Sequence, residues 1–283
     1  MMKFNPVRSI YALFLKNIRS NYSESSNKQF SDLKIDVVIP SAEKDHHVLS
    51  LTIESVRRFV RHPVNRIYVV SPDTAKARNF INQDNISYIR DDDVIDRGNN
   101  FYEYFYKGID RSGWLKQQFI KISADKFCEM ENYLVVDSDT IFLRPITFYR
   151  NNQYVMHVSE SYHPPYHELL AKILELQRTS ILSFISHYML FNKQIIREMK
   201  NEIESHTGLY WDEAIMKHIS RNTISPFSEY ETYGNYLFNK YRRRMIREYS
   251  FGGNLNRPGK LPTLDQLCSK QHGLISVSFH TAS

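Results

Sequence analysis

Two aspartates one residue apart, Asp137 and Asp139, close the apolar run Tyr133-Leu134-Val135-Val136, and a second apolar run, Ile141-Phe142-Leu143, follows at once. A short unbroken apolar run is the pattern of a strand buried on both faces. If the acids continue that extended chain, residues two apart point to the same side. Two carboxylates so placed repel unless a cation neutralises them, and their hard oxygens suit Mn²⁺ or Mg²⁺. A divalent ion there would bridge a diphosphate and stabilise a leaving nucleoside diphosphate.

The segments ahead of this pair predict the sheet that must carry it. Residues 35–39 form a short apolar run closed by Pro40, and residues 48–60 follow with helical spacing. A second buried strand is expected over 66–70, stopped by Ser71-Pro72, then a helix over 74–80 and a third strand over 86–89. Asp91-Asp92-Asp93 closes that strand, a helix is expected over 114–127, and the fourth strand delivers the Asp pair. This alternation predicts an α/β fold built from right-handed βαβ units, with ligands at the carboxyl ends of the strands. Further on, 154–158 and 187–191 read as strands, and 194–204 and 210–219 as helices. A basic segment over 239–249 holds Lys240, Arg242, Arg243, Arg244 and Arg247. No internal repeat and no second-domain boundary is visible beyond a polar linker over 22–31, which divides the chain into 1–31 and 32–283.

The bulk numbers narrow the classes. A chain of 283 residues suffices for one large α/β domain, and 42% hydrophobic residues supports a real core. The net charge of +6 suits anionic partners such as nucleotide diphosphates or a membrane surface. It falls short of the clustered charge of a nucleic-acid binder, so no nucleic-acid partner is expected. Cys128 and Cys268 stand alone, outside any CxxC spacing, which argues against a disulfide framework or a cysteine zinc site and for the cytoplasm. Zinc is set aside for His46 and His47 and for His163 and His167; the latter pair has the helical i, i+4 spacing but lacks the Glu of a metalloprotease motif. Residues 1–22 lack the features of a signal peptide and read as a basic amphipathic helix. Phe4, Val7, Tyr11, Phe14, Leu15 and Ile18 share its apolar face, flanked by Arg8, Lys16 and Arg19. That helix either lies on the inner face of the cytoplasmic membrane as a peripheral anchor or packs on its own domain.

The buried strand ending in Asp137-Ser138-Asp139 resembles the DxD motif of GT-A-fold glycosyltransferases, nucleotide-sugar enzymes with a Rossmann-like amino-terminal half. The likeness is extended by Gly113-Trp114-Leu115-Lys116-Gln117-Gln118-Phe119-Ile120-Lys121 upstream. Downstream it continues in Phe227-Ser228-Glu229-Tyr230-Glu231-Thr232-Tyr233-Gly234-Asn235-Tyr236. It covers roughly residues 33–283 and is to bacterial glycosyltransferase-like proteins found with surface-polysaccharide genes. The resemblance implies a GT-A-like mixed sheet flanked by helices, a nucleotide-sugar donor, and Mn²⁺ or Mg²⁺. It also implies a glycan or lipid-linked acceptor in capsule or lipopolysaccharide synthesis.

Carried over residue by residue, the resemblance implies that Asp139 ligates the metal directly. Asp137 then touches the donor ribose or reaches the metal through water, with Ser138 beside it. His280, after the apolar Val277-Ser278-Phe279, is the candidate for a third ligand. Donor recognition in such a fold falls to Pro40, Ser41, Lys44 and Asp45 after the first strand and to the acids after the third, Asp92 among them. A carboxylate there accepts from a base edge or ribose hydroxyl, or is simply solvated. Gln117 and Lys121 lie four apart on one helical face; Lys121 either faces the diphosphate or snorkels to solvent.

An inverting transfer needs a carboxylate to deprotonate the acceptor hydroxyl, and the candidates are Glu229, then Glu231, then Asp212. The last opens a helix, where an acid also favours the macrodipole. The cluster over 228–231 reads as lying in an aromatic, non-helical stretch, so its carboxylates have no evident structural task. A retaining transfer needs no such base, and both courses stay open. His187, Tyr230 and Tyr233 are the acceptor-side candidates. A sugar nucleotidyltransferase is the alternative enzyme, but Pro40-Ser41-Ala42-Glu43-Lys44-Asp45 has no glycine for a phosphate loop. A non-catalytic polysaccharide- or nucleic-acid-binding protein would have little use for a buried strand that ends in paired acids.

Overall fold

The computed structural model describes residues 10, 13–14, 30–72, 85–95, 97–177 and 180–280. The amphipathic helix expected over 1–22 lies outside the described residues, apart from Ile10, Leu13 and Phe14, which are helical and exposed. The helix expected over 74–80 lies outside them altogether.

The apolar runs build one sheet. Strand β1 (Ile35–Pro40) is buried at every position, as a strand covered on both faces must be. Helix α1 (His46–Phe59) returns over it to β2 (Val64–Ser71), and β3 (Ile86–Arg90) follows on the far side. A two-stranded hairpin, β4 (Phe105–Tyr106) and β5 (Ile109–Asp110), leads into helix α2 (Ser112–Ser123). Strand β6 (Asn132–Val136) then enters the sheet beside β1, with Val37 opposite Leu134. Strands β1, β2, β3 and β6 are parallel.

The chain next forms β7 (Thr140–Phe142), β8 (Tyr149–Arg150), β9 (Gln153–Val158) and helix α3 (Pro164–Leu174). Strand β10 (Tyr188–Asn192) comes back antiparallel to β6 and completes the order β10-β6-β1-β2-β3. The result is a mixed α/β fold with a central, mostly parallel sheet flanked by helices, as the sequence predicts. Helix α4 (Lys193–Thr207) starts where the Asn192 side chain accepts from the Ile195 N–H, and it stops at Gly208 with φ 68°. After α5 (Trp211–His218) comes α6 (Glu229–Lys240), then β11 (Met245–Tyr249), β12 (Gly252–Asn256), α7 (Leu264–Lys270) and β13 (Ser276–His280). These later strands make two small sheets, β11-β9-β8 and β12-β13-β7.

Helix α6 corrects the reading of the stretch around residues 228–231 as non-helical. Ser228 caps it by accepting from the Glu231 N–H, and every residue from Glu229 to Phe238 is buried. A helix buried all round shows no amphipathic stripe. Gly234 is required within it, because a Cβ there would meet the Phe184 ring at 2.4 Å. Among the described residues no helix is long and apolar enough to cross a membrane.

Candidate active site

The turn that joins β6 to β7 is tied down at every residue. The Asp137 N–H donates to the His187 carbonyl at 2.9 Å, and the Thr140 N–H to the Asp137 carbonyl at 3.0 Å. The Thr52 hydroxyl of α1 donates to the Ser138 carbonyl at 2.7 Å. The Phe279 N–H of β13 donates to the Asp139 carbonyl at 2.9 Å. Asp137-Ser138-Asp139 is therefore a turn and not the extended segment expected from the sequence. The two carboxylates share one cleft because α1, β13 and the His187 carbonyl ahead of β10 pin the turn, not because of strand alternation.

That cleft, of about 560 Å³, opens at the carboxyl edge of the parallel strands. It is lined by Pro40 at the end of β1, by Lys44 and Asp45 just after it, and by Gln117 and Lys121 from α2. Asp137, Ser138, Asp139, His187, Tyr230 and His280 also face it. Eleven residues singled out from the sequence thus meet in one place.

The two aspartates differ sharply in their surroundings. Asp137 Oδ1 accepts from the Lys121 ammonium at 2.6 Å and from the Tyr230 hydroxyl at 2.9 Å, and its Oδ2 lies 3.1 Å from His187 Nδ1. Burial by itself would raise the Asp137 carboxyl, but the Lys121 charge and the His187 bond outweigh it and hold the group below the ordinary carboxylate range. Burial likewise opposes the charged forms of Lys121 and His187, yet the acids facing each of them win and raise both. His187 adopts φ 64°, a conformation rare for a residue with a side chain, which lets its carbonyl and its ring both reach Asp137.

Asp139 has no such company. Among the described residues no donor bonds its carboxylate, and its nearest cations, Arg257 Nη2 and His280 Nδ1, both stand at 3.9 Å. Burial, then the neighbouring Asp137 charge, pushes it up to about 6. His280 is lowered, by burial first and by His187 next, and its Nε2 lies 3.1 Å from the Asn254 side-chain oxygen. Arg257, at the end of β12, pairs closely with Asp45, and the Ser138 hydroxyl donates to the other oxygen of that carboxylate at 3.1 Å. Sequence reasoning missed Arg257, which no motif marks.

Other expected residues fall outside the cleft. Ser41 is buried behind it, bonded to the Ala42 carbonyl at 3.4 Å. Asp92 is held by Lys116 at 2.7 Å, and that bond lowers its pKa. The Tyr233 hydroxyl accepts from the Asn192 N–H at 3.1 Å within the core. None of the three candidate bases lines the cleft: Glu229, Glu231 and Asp212 are 0%, 1% and 1% exposed. Glu229 Oε1 accepts from Lys121 at 2.7 Å, while its Oε2 is buried without a hydrogen bond. Glu231 Oε2 accepts from the Ser183 hydroxyl and the Phe184 N–H at 2.6 and 2.8 Å. Asp212 faces Arg97 at 3.6 Å and accepts from the Glu213 N–H. Their structural tasks are evident, so the reading that they had none is corrected. The basic segment also lies away from the cleft: Met245 pairs with Tyr154, whose hydroxyl reaches Asn132 at the other end of β6 from Asp137.

The model of one family matches residues 32–269, most of the chain. The chain belongs to that family, DUF6492, a family of unknown function. No curated protein matches the chain in sequence. Two crystal structures of the galactosyltransferase LgtC align at 12% identity and a TM-score of 0.47. One is in complex with donor and acceptor sugar analogs and covers 87% of both chains; the other is of an active-site mutant and covers 88% of both. At that distance nothing is carried from LgtC to this member of the family.

Proposed function

We propose that this chain is a metal-dependent glycosyltransferase of the GT-A type, taking a sugar from a nucleotide-sugar donor to a glycan or lipid-linked acceptor. The observation that carries the reading is Asp139. Its carboxylate is raised to about 6, has no hydrogen-bond donor among the described residues, and stands next to an ionised Asp137 in a cleft at the sheet's carboxyl edge. Such a group calls for a cation from outside.

Among the described residues no three His, Cys, Asp or Glu side chains form a ready metal cage. Mn²⁺ and Mg²⁺ rarely need one, since they bind through one or two carboxylates and take their remaining ligands from phosphates and water. The donor set fits: two carboxylates and the His280 imidazole face the cleft, and among the described residues no hydrogen-bond donor occupies the Asp139 carboxylate. Asp139 and His280, with Asp137, would hold the ion, which when bound supplies positive charge to the leaving diphosphate.

The chain's own residues do the rest. Lys121, Tyr230 and His187 fix the Asp137 carboxylate in one orientation, so that it holds its direction as ligands arrive. Lys44 and Arg257 add positive charge beside Asp139, where a diphosphate would lie. Pro40 and Asp45 line the same cleft. The sealed positions of Glu229, Glu231 and Asp212 favour a transfer in which none of them takes the acceptor proton. The likeness to proteins found with surface-polysaccharide genes supports a capsule or lipopolysaccharide acceptor.

A thermal-shift panel of nucleoside diphosphates tests the reading, with Mn²⁺ and with EDTA, on wild type and Asp139→Ala. A ligand at a hundred times its Kd stabilises the native state by about 2.7 kcal/mol. One diphosphate is expected to raise the melting temperature only with metal and only in wild type. If none shifts wild type under any condition, the reading is wrong.

A further inference from the structure

The cleft extends along α2 beyond the reach of a diphosphate bound at the Asp pair. Trp114, Gln117, Gln118 and Lys121 face it in turn along one side of α2. Arg111, also in the lining, lies ten positions ahead of Lys121, roughly 15 Å along the helix axis at 1.5 Å per residue. The diphosphate held beside Asp137 and Asp139 cannot also span that distance. The residues that meet Arg111 from the later half of the chain are Tyr166 at the start of α3 and Ile224 ahead of α6.

The cations of the cleft are not equivalent. Lys121 is bound by two carboxylates and Arg257 by Asp45. Arg111 is half-buried, yet among the described residues it forms no ion pair with a carboxylate. Its guanidinium lies 4.6 Å over the Trp114 ring, and its Nε donates to the Ile224 carbonyl at 3.2 Å. Those contacts set its orientation and leave the two terminal nitrogens, the edge that grips a carboxylate or phosphate with two parallel bonds. Burial lowers its pKa, and only the nearby Tyr166 works against that, so the protein itself supplies no compensating acid.

We infer that this end of the cleft is an acceptor subsite for an acidic sugar, one bearing a carboxylate or a phosphate, with Arg111 as the anchor of the oxyanion. Trp114 and Tyr166 flank the place the sugar ring would take. As an acceptor site the inference rests on the glycosyltransferase reading; as a binding site it is tested without it.

The test is a titration of the full chain, followed by ligand-observed NMR, with methyl glucuronide, methyl glucoside and glucose 6-phosphate. Wild type is expected to bind at least one of the two acidic sugars and to bind the neutral glucoside much more weakly. Which acid binds more tightly identifies carboxylate or phosphate as the natural group. Arg111→Gln is expected to weaken the acidic sugar about tenfold or more, the effect of removing a charged hydrogen-bonding partner. Arg111→Lys, which keeps the charge and loses the fork, weakens it less but measurably, and guards against a Gln variant that fails to fold. Equal binding of glucoside and acidic sugars overturns the inference, as does unchanged affinity in a folded Arg111 variant. Nucleoside diphosphate binding, measured on the same samples, is expected to survive both substitutions. Its absence from wild type alongside acidic-sugar binding would sink the transferase reading and leave the subsite standing; the reverse result would do the opposite.

Discussion

The two aspartates of the turn are chemically alike and placed in opposite circumstances. Around Asp137, the charge has its answer in Lys121, which bridges it to Glu229, while Tyr230 and His187 bond it as well and leave one position on Oδ2. Around Asp139 the nearest cations stop at 3.9 Å, and the neighbouring negative charge adds to the cost of burial. One side is wired as part of the fold and the other is held open at the fold's expense. A buried ion pair is destabilising to break, and an unanswered buried charge is destabilising to keep. Stability and function should therefore separate along this line.

The largest effect is expected on the wired side. Lys121→Met leaves Asp137 and Glu229 facing each other without a cation and should cost about 3–5 kcal/mol, read from the urea unfolding midpoint. A variant as stable as wild type would mean that the Lys121 bridge is dispensable, and the contrast would collapse.

On the open side the sign reverses. An Asp whose folded pKa is about 6, against an ordinary value near 3.9, makes no contribution below about pH 4, where it is protonated in both states. As pH rises through 6 the folded state bears the full penalty, so metal-free stability should fall across that window. Asp139→Asn should remove the fall and stabilise the metal-free protein at pH 7 by about 1–3 kcal/mol, while abolishing metal-dependent nucleotide binding. Thermal unfolding in EDTA at pH 4 and pH 7 decides it; identical pH profiles for variant and wild type would show that Asp139 is not the strained group.

The smallest effect on stability sharpens the contrast from the other direction. His280 is half-exposed, so His280→Ala should change unfolding by no more than about 0.5 kcal/mol yet weaken Mn²⁺ binding in the presence of a nucleoside diphosphate. Manganese titration by electron paramagnetic resonance reads the second quantity; unaltered metal affinity would remove His280 from the ligand set.

How much of this the sequence discloses follows the same division. Strands β1, β2, β3 and β6 were legible because a parallel strand buried on both faces must be written as a continuous apolar run. The Asp pair was legible because it ends such a run. Helix α6 was not, since burial on all sides erases the 3.6-residue stripe, and Gly234, Asn235 and Thr232 are poor helix formers. One local signal was there: Ser228 three residues before Glu231 is the spacing of a helix N-terminus. It would have recast Glu229 and Glu231 as first-turn acids with neighbours to serve. Arg257 and Arg111 left no such trace. Each acquires its meaning from a partner, or from the lack of one, set by tertiary contacts alone.

The small sheet that brings β13 against β7 has a consequence for how the molecule assembles. The Thr140 and Ser278 hydroxyls meet at 2.8 Å across 138 residues of chain, so among the described strands this pairing closes the longest loop and carries the largest closure cost. The Lys121 bridge to Asp137 closes only 16 residues. The half of the cleft that holds Arg257 and His280 thus waits for a more distant segment than the Asp137 half, whose links to Tyr230 and Glu229 span 93 and 108 residues. Conditions that only begin to unzip the molecule should take that late-arriving half first and silence the site while most of the native structure is still in place.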